Sequence, residues 1–472
     1  MSIATTNPAT GQVLKTYDPM SEEQIDAAIG RADDAFHQLR GTTVDQRAGW
    51  MYAAADLLDA ERDEIARIMT TEMGKTYASA KAEVTKCATA ARFYADHAAE
   101  FLADEPADAA AVNAGQAFVR HQPIGPVLAV MPWNFPLWQV LRFAAPALMA
   151  GNTGLLKHAS NVPQTALLLE DVFRRAGFPE GAFTTLLVGS DAVDQILSDP
   201  RVRAATLTGS EGAGRSIAQI AGRELKKTVL ELGGSDPFVV MPSADLDRAA
   251  EVATTARCQN NGQSCIAAKR FIVHTDVFDE FAEKFAANMA ALRVGDPMDE
   301  RTDVGPLATE RGRDEINEQV RDAIDRGATV LVGGEQPTGD GWWYPPTVVT
   351  DLTPEMRMWR EEVFGPVAGL YRVESYDEAI EVANGTSYGL GSNAWTRDPE
   401  EQRRFATDLD AGNVFINGMT TSFPELPFGG VKNSGYGREL SAMGMREFCN
   451  TKTVWVGGDG GGAIGTAGAH AE

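Results

Sequence analysis

A chain of 472 residues is longer than one hydrophobic core ordinarily supports, which implies at least two closely joined domains. Its 44% hydrophobic content, with 46 glycines and 23 prolines, excludes a coiled coil or a disordered chain and fits a turn-rich α/β protein. The 66 acidic residues against 42 basic ones leave a formal charge of -24, which argues against nucleic acid or an anionic membrane as partner and suits a salt-adapted cytoplasm or an ordinary acidic bacterial enzyme.

The opening residues, Met1 to Thr5, carry no basic stretch leading into an apolar run, and no window approaches an unbroken membrane span, so a cytoplasmic protein is expected. From Ser21 to about Ala103 apolar residues recur at helical spacing, Ile65, Ile68 and Met69 among them, and the segment reads as packing rather than as a site. After Val119 the texture changes to short apolar runs ended by turn residues: Pro126 to Met131, Gly154 to Lys157, Thr184 to Val188 and Ala204 to Thr208. Helical stretches separate them, which predicts parallel strands in a doubly wound, nucleotide-binding layer. One of these helices has Asn161 as its cap, Pro163 in its first turn, Leu168, Leu169, Val172 and Phe173 as its stripe and Gly177 at its end. It begins just after Lys157, where a strand end presents side chains to a ligand.

The second half repeats the alternation, with a helix from Phe278 to Leu292 and strands at Val330 to Val332, Val367 to Tyr371, Asn393 to Trp395 and Asn413 to Ile416, which predicts a second α/β domain. The Gly- and Ala-rich residues from Gly457 to Glu472 have little to bury and read as a flexible tail.

Several segments carry residues suited to chemistry. Asn260-Asn261-Gly262-Gln263-Ser264-Cys265 places a Cys in a polar turn, where donors favour the thiolate that a nucleophile needs; a structural Cys is the other reading. Glu231-Leu232-Gly233-Gly234 ends a strand-like run with a carboxylate, which is either a general base in a dry pocket or a surface Glu at a strand end. In Pro132-Trp133-Asn134-Phe135-Pro136 two prolines fix an amide that either stabilises an oxyanion or belongs to a rigid turn stapled by aromatics. Gly209-Ser210-Glu211-Gly212-Ala213-Gly214 precedes a helix, so it either offers backbone amides to a pyrophosphate or is a plain glycine turn; its spacing is not the usual dinucleotide fingerprint. The four cysteines, Cys87, Cys258, Cys265 and Cys449, form no C-x-x-C pair, and no His is spaced from another His or Cys as metal ligands are, so neither a disulfide framework nor a metal is expected.

Taken in this order, and with Glu361 to Pro366 and Pro427 to Gly435, the segments resemble the aldehyde dehydrogenase superfamily from Asn7 to Trp455. That resemblance implies that Cys265 is the nucleophile, Glu231 the general base and Asn134 the oxyanion donor. It implies NAD or NADP as cofactor, with contacts from Trp133, Lys157, Ser160, Gly209, Ser210, Gly214, Leu232, Glu362 and Phe364. Ser160 stands where relatives strict for NAD often carry a Glu, so NADP is expected to be tolerated.

Pro132 to Val140, Leu155 to Ala159, Glu231 to Phe238 and Glu447 to Trp455 further resemble bacterial succinate-semialdehyde dehydrogenases. This implies Arg142, Trp138, Gln259 and Ser422 as substrate-binding residues, Arg142 serving the far carboxylate. Gln259 stands where those enzymes have a second arginine. Other aldehydes, such as glutarate semialdehyde or a small aliphatic or sugar-derived one, a non-catalytic NAD(P)-binding relative and a nucleotide-sensing regulator are the competing readings.

The resemblance also implies a cofactor domain over 1–110 and 125–232, a catalytic domain over 233–435, an oligomerisation element over 111–124 and 436–458 that joins dimers or tetramers, and a tail over 459–472.

Overall fold

The computed structural model describes residues 2–458; the tail expected over 459–472 lies outside the described residues. A six-stranded sheet runs in the order Gly435–Tyr436, Lys227–Glu231, Ala204–Thr208, Pro126–Met131, Thr153–His158, Phe183–Thr185. All its neighbours are parallel except the first pair. Pro126–Met131 and Ala204–Thr208 are buried nearly throughout, as strands covered by helices on both faces must be. Successive strands leave Pro126–Met131 in one direction through Thr153–His158 and in the other through Ala204–Thr208. This reversal opens a crevice beyond the strands' carboxyl ends, the usual ligand position in such sheets. The segments 132–136, 157–160, 209–214 and 231–234 all leave from that edge.

The expected strand over Thr184 to Val188 is shorter, Phe183–Thr185, because the Val188 N–H turns back to the Leu186 carbonyl. Asn161 does not cap the helix Pro163–Arg175. Glu72, buried on another helix, does so instead: its carboxylate accepts from the Gln164 and Thr165 N–H groups at 2.8 and 3.0 Å and from the hydroxyls of Thr5 and Thr165. Gly177 ends the helix at φ +101°, as its type predicted.

A second, seven-stranded sheet runs Thr329–Val332, Thr347–Thr350, Val367–Val373, Arg270–His274, Pro237–Val240, Gly391–Trp395, Asn413–Ile416, with only the first pair antiparallel. Phe278, Phe281 and Phe285 of the helix Thr275–Ala291 pack on it with Phe271 and Trp395. A third, antiparallel sheet joins Cys449–Val456, Gln116–Pro123 and Glu105–Pro106. The N-terminal hairpin Ile3–Asn7 and Gln12–Tyr17 was not legible as strands in the sequence.

The C-terminal boundary differs from expectation. Gly435–Tyr436 completes the six-stranded sheet against Leu230 and Glu231, and Leu440, Met445 and Phe448 join the core of that domain. Only Cys449–Val456 of the segment 436–458 forms the small sheet, because Ser441–Glu447 is a helix with its apolar side against Trp138–Ala150.

Candidate active site

The helix Leu246–Cys258 ends before a turn in which Asn260 and Asn261 adopt left-handed backbone, φ 54° and 57°. Asn tolerates that region, and both side chains are spent holding the turn. Asn260 Nδ2 donates to the Asn134 carbonyl at 2.7 Å; Asn261 Nδ2 donates to the Gly74 and Pro306 carbonyls, and its Oδ1 accepts from the Gly305 N–H. These amides are therefore clamps on the backbone rather than donors to the sulfur. Gly262, at φ +74°, passes so close to Gly365 that a Cβ would lie 2.3 Å from its carbonyl carbon. The Lys269 ammonium, fully buried, donates to the carbonyls of Ser264, Cys265 and Ala267 at 2.9, 2.8 and 3.0 Å. Cys265 leaves this turn half-buried, unlike the buried Cys87, Cys258 and Cys449, and none of the four is in a disulfide. Burial pushes its thiol up to about 12, while the charges of Arg142 and Lys269 pull the other way.

Asn134 sits in the loop after Pro126–Met131. His158 ties that loop down: its Nε2 lies 2.9 Å from the Pro136 carbonyl, and its Nδ1 lies 3.2 Å from the Met131 carbonyl and 2.9 Å from the Ala159 nitrogen. Burial lowers His158 to about 4, which keeps it neutral. Asn134 Nδ2 donates to the Gln263 carbonyl at 3.2 Å, leaving its second N–H for another acceptor. Glu231 ends its strand 1% exposed, with neither carboxylate oxygen hydrogen-bonded. Desolvation raises it well above the usual carboxylate range, Arg142 opposes the rise and Glu439 adds to it.

Cys265 lies at the junction of two cavities. One, of about 200 Å³, is lined by Ser79, Glu83, Lys86, Trp138, Arg142, Gln259, Ser422 and Phe428. The other, of about 220 Å³, is lined by Trp133, Asn134, Gly209, Ser210, Leu232, Glu362 and Phe364. Cys265 is the one lining residue the two share.

The model of the aldehyde dehydrogenase family matches residues 1–454. The chain belongs to the aldehyde dehydrogenase family. It is 66% identical over 467 residues to the succinate-semialdehyde dehydrogenase [NADP(+)] of Mycobacterium avium, covering 98% of this chain and 99% of that protein. It is 65% identical over 456 residues to succinate-semialdehyde dehydrogenase [NADP(+)] 1 of Mycobacterium tuberculosis, covering 97% and 100%. Among solved structures it resembles succinic semialdehyde dehydrogenase from Streptococcus pyogenes in complex with NADP+, with a TM-score of 0.94, 40% identity, and 97% of this chain and 100% of that chain covered. Its fold is thus the aldehyde dehydrogenase fold.

The aldehyde dehydrogenase cleft fits a dinucleotide. Ser210 caps the helix Glu211–Arg223, so that helix's N-terminus opens onto the cavity beside Gly209. A Cβ on Gly214 would lie 2.7 Å from the Leu232 side chain, and one on Gly233 would lie 2.6 Å from Glu362 Oε2, so a larger residue at either position displaces a side chain that lines the cavity. Glu362 accepts from the Gly234 N–H at 3.1 Å and lies 3.5 Å from Lys269. Phe364 meets Trp133 edge to face at 5.8 Å. Lys157 lies in the strand Thr153–His158, and Ser160 follows that strand and lines a separate small pocket with Ala159 and Leu186; burial lowers Lys157, and the field of Asp191 works against that fall. Among the described residues no group of three or more His, Cys, Asp or Glu is arranged to hold a metal.

All four expected substrate residues line the Cys265 cavity, but Arg142 is already engaged. Its guanidinium forms an ion pair with buried Glu439, lies 3.2 Å from Thr208 Oγ1 and covers the Phe428 ring. Its Nε and Nη2 groups are thus engaged by Glu439 and Thr208, and its charge also acts on Glu231. The sequence reading missed the helix Tyr77–Phe101, which it took for packing: Ser79, Ala82, Glu83 and Lys86, one face at helical spacing, line the cavity. The polar stripe Ser79, Glu83, Lys86 in an Ala-rich helix was the available signal.

Two outcomes follow. Glu231→Gln retains a stoichiometric burst of reduced cofactor but loses roughly 100-fold or more in steady-state turnover. Because burial raises Glu231, its base form grows as pH rises, so wild-type turnover climbs with pH over a range above the usual carboxylate titration; a burst-free, inactive Glu231→Gln enzyme rules out the hydrolytic role. Arg142→Met leaves Glu439 buried without its partner and lowers stability by about 3–5 kcal/mol, read as a fall in Tm. An unchanged Tm would return Arg142 to a substrate-only role.

Proposed function

We propose that the enzyme oxidises succinate semialdehyde to succinate, with NADP+ as cofactor and NAD+ tolerated. The observation that carries this is the meeting of a cation-bearing cavity and a dinucleotide-shaped cleft at one cysteine. The close mycobacterial and streptococcal relatives named for this substrate and for NADP+ support it.

Cys265 sulfur, as thiolate, adds to the aldehyde carbon, and the carbonyl π pair moves to oxygen. The Asn134 amide and the Cys265 backbone N–H hold that oxyanion. Bound in the cleft, the cofactor supplies the acceptor for the hydride that leaves this carbon. The resulting Cys265 thioester is opened by a water whose proton Glu231 takes; the C–S bond breaks, and the acid and the thiolate are released. Trp133, Phe364 and Glu362 position the reacting end of the cofactor, and Lys157 and Ser160 its adenosine end.

The edge strand Cys449–Val456 exposes Trp455 and Val456 beside Val112. We infer that a second copy of the chain covers this edge, giving a homo-dimer or homo-tetramer. Among the described residues no helix is long and apolar enough to cross a membrane. We place the reaction in the cytoplasm, in keeping with four free thiols, and read the acidic surplus as salt adaptation.

Initial rates of NADPH and NADH formation with succinate semialdehyde, glutarate semialdehyde and butanal, at low and high KCl, test this reading. Succinate semialdehyde gives the highest kcat/KM, NADP+ exceeds NAD+, activity persists in high KCl, and Cys265→Ala is inactive; equal rates with butanal would remove the substrate assignment. In sedimentation the wild type is oligomeric and Val456→Lys dissociates; a wild-type monomer ends the oligomer reading.

A further inference from the structure

The cavity beside Cys265 contains two cations, and they differ in how their charge is met. Arg142 is paired with Glu439. Glu83, the cavity's carboxylate, is also satisfied: one oxygen accepts from the N–H groups of Leu137 and Trp138 at 2.9 and 2.8 Å, capping the helix Trp138–Ala150, and the other pairs with fully buried Lys75. Lys86, one turn along the same helix face, has no carboxylate within ion-pair reach among the described residues. Its ammonium donates to Ser422 Oγ at 2.8 Å and lies 4.2 Å from the centroid of the Trp138 ring, whose Nε1 donates to the same hydroxyl at 3.1 Å. Beside it Gln259 offers an amide whose buried Nε2 donates to nothing.

From this arrangement we infer that Lys86, with Ser422 and the Gln259 amide, is the seat for the carboxylate at the far end of the substrate, and that Lys86 rather than Arg142 sets the preference for a carboxylated aldehyde. The inference rests on the proposed substrate and deepens it. A half-buried ammonium without a counter-ion is partly desolvated at a cost, and a carboxylate bound there offsets that cost and gains a charge-assisted hydrogen bond. A carboxylate is also well placed geometrically: the ammonium has three N–H bonds and spends one on Ser422. The Trp138 face packs the ammonium while its Nε1 keeps the Ser422 hydroxyl oriented. Gln259, which stands where the succinate-semialdehyde dehydrogenases that the sequence resembles have a second arginine, supplies a neutral donor beside a cation that comes from another helix.

The charges facing Lys86 are Glu83 and Cys87 on its own helix and Arg142 on the helix Trp138–Ala150. Burial, with Arg142 adding to it, brings Lys86 down to about 8 in the free enzyme, and Cys87 and Glu83 oppose the fall. The cationic form is therefore lost as pH rises through that value, and the affinity for a carboxylate goes with it.

The test is the ratio of kcat/KM for succinate semialdehyde to that for butanal, across pH, in the wild type, Lys86→Met and Lys86→Arg. Lys86→Met lowers the ratio roughly 10- to 150-fold, through KM for the carboxylated aldehyde. In the wild type that KM rises as pH passes about 8, as Lys86 loses its charge; in Lys86→Arg the ratio is largely retained and the rise disappears. If wild type prefers succinate semialdehyde and folded Lys86→Met keeps the preference, the seat is wrong and the substrate stands. If the wild type shows no preference, both fall. Should Lys86→Met fail to fold, the pH rise persisting in Lys86→Arg overturns the inference by itself. A purely structural role would lower both substrates' rates together and leave the ratio fixed, which also overturns it.

Discussion

The Lys269 ammonium, entirely buried, gathers the carbonyls of Ser264, Cys265 and Ala267 and faces the Glu362 carboxylate. An unpaired ammonium in that position would be heavily penalised, so its burial is sustained only while the turn keeps those carbonyls converged on it. Desolvation lowers Lys269, and Glu362 is the strongest influence opposing that fall. The same contact joins the turn bearing Cys265 to Glu362, one of the residues proposed to position the reacting end of the cofactor. Around this centre the asparagine clamps, the close Gly262–Gly365 passage and the fixed 132–136 loop bring an amide, a thiol and a carboxylate to one edge of the six-stranded sheet.

Charge compensation organises the rest of the interior. Glu439 meets Arg142, Glu83 meets Lys75, and Glu72 is satisfied by two backbone amides and two hydroxyls. Each of these three carboxylates is thus tied to a structural task, capping a helix or linking the C-terminal segment to the helix Trp138–Ala150. Glu231 differs in having neither a hydrogen bond nor an ion pair among the described residues. That isolation fits a group that must exchange a proton rather than hold a contact.

Much of this was legible in the sequence because it is local. The apolar runs at Pro126 to Met131 and Ala204 to Thr208 carry their own strand pattern, and Gly177 carries its own helix stop. The features that escaped depend on partners distant in the chain. Asn161 looks like a cap until Glu72, on another helix, occupies the same amides. Arg142 reads as an unpaired cation until Glu439, nearly three hundred residues later, is folded against it. Lys86 looks like one more solvated charge until Ser422 and Trp138 are folded against it. The catalytic set was read from motifs in register, whereas which cations remain uncommitted is a property of the folded charge balance.

The one shared lining residue also sets how far a change in either cavity reaches. Since only Cys265 lines both, a substitution elsewhere in one wall reshapes that cavity and leaves the residues of the other in place, whereas a larger side chain at position 265 intrudes on both at once.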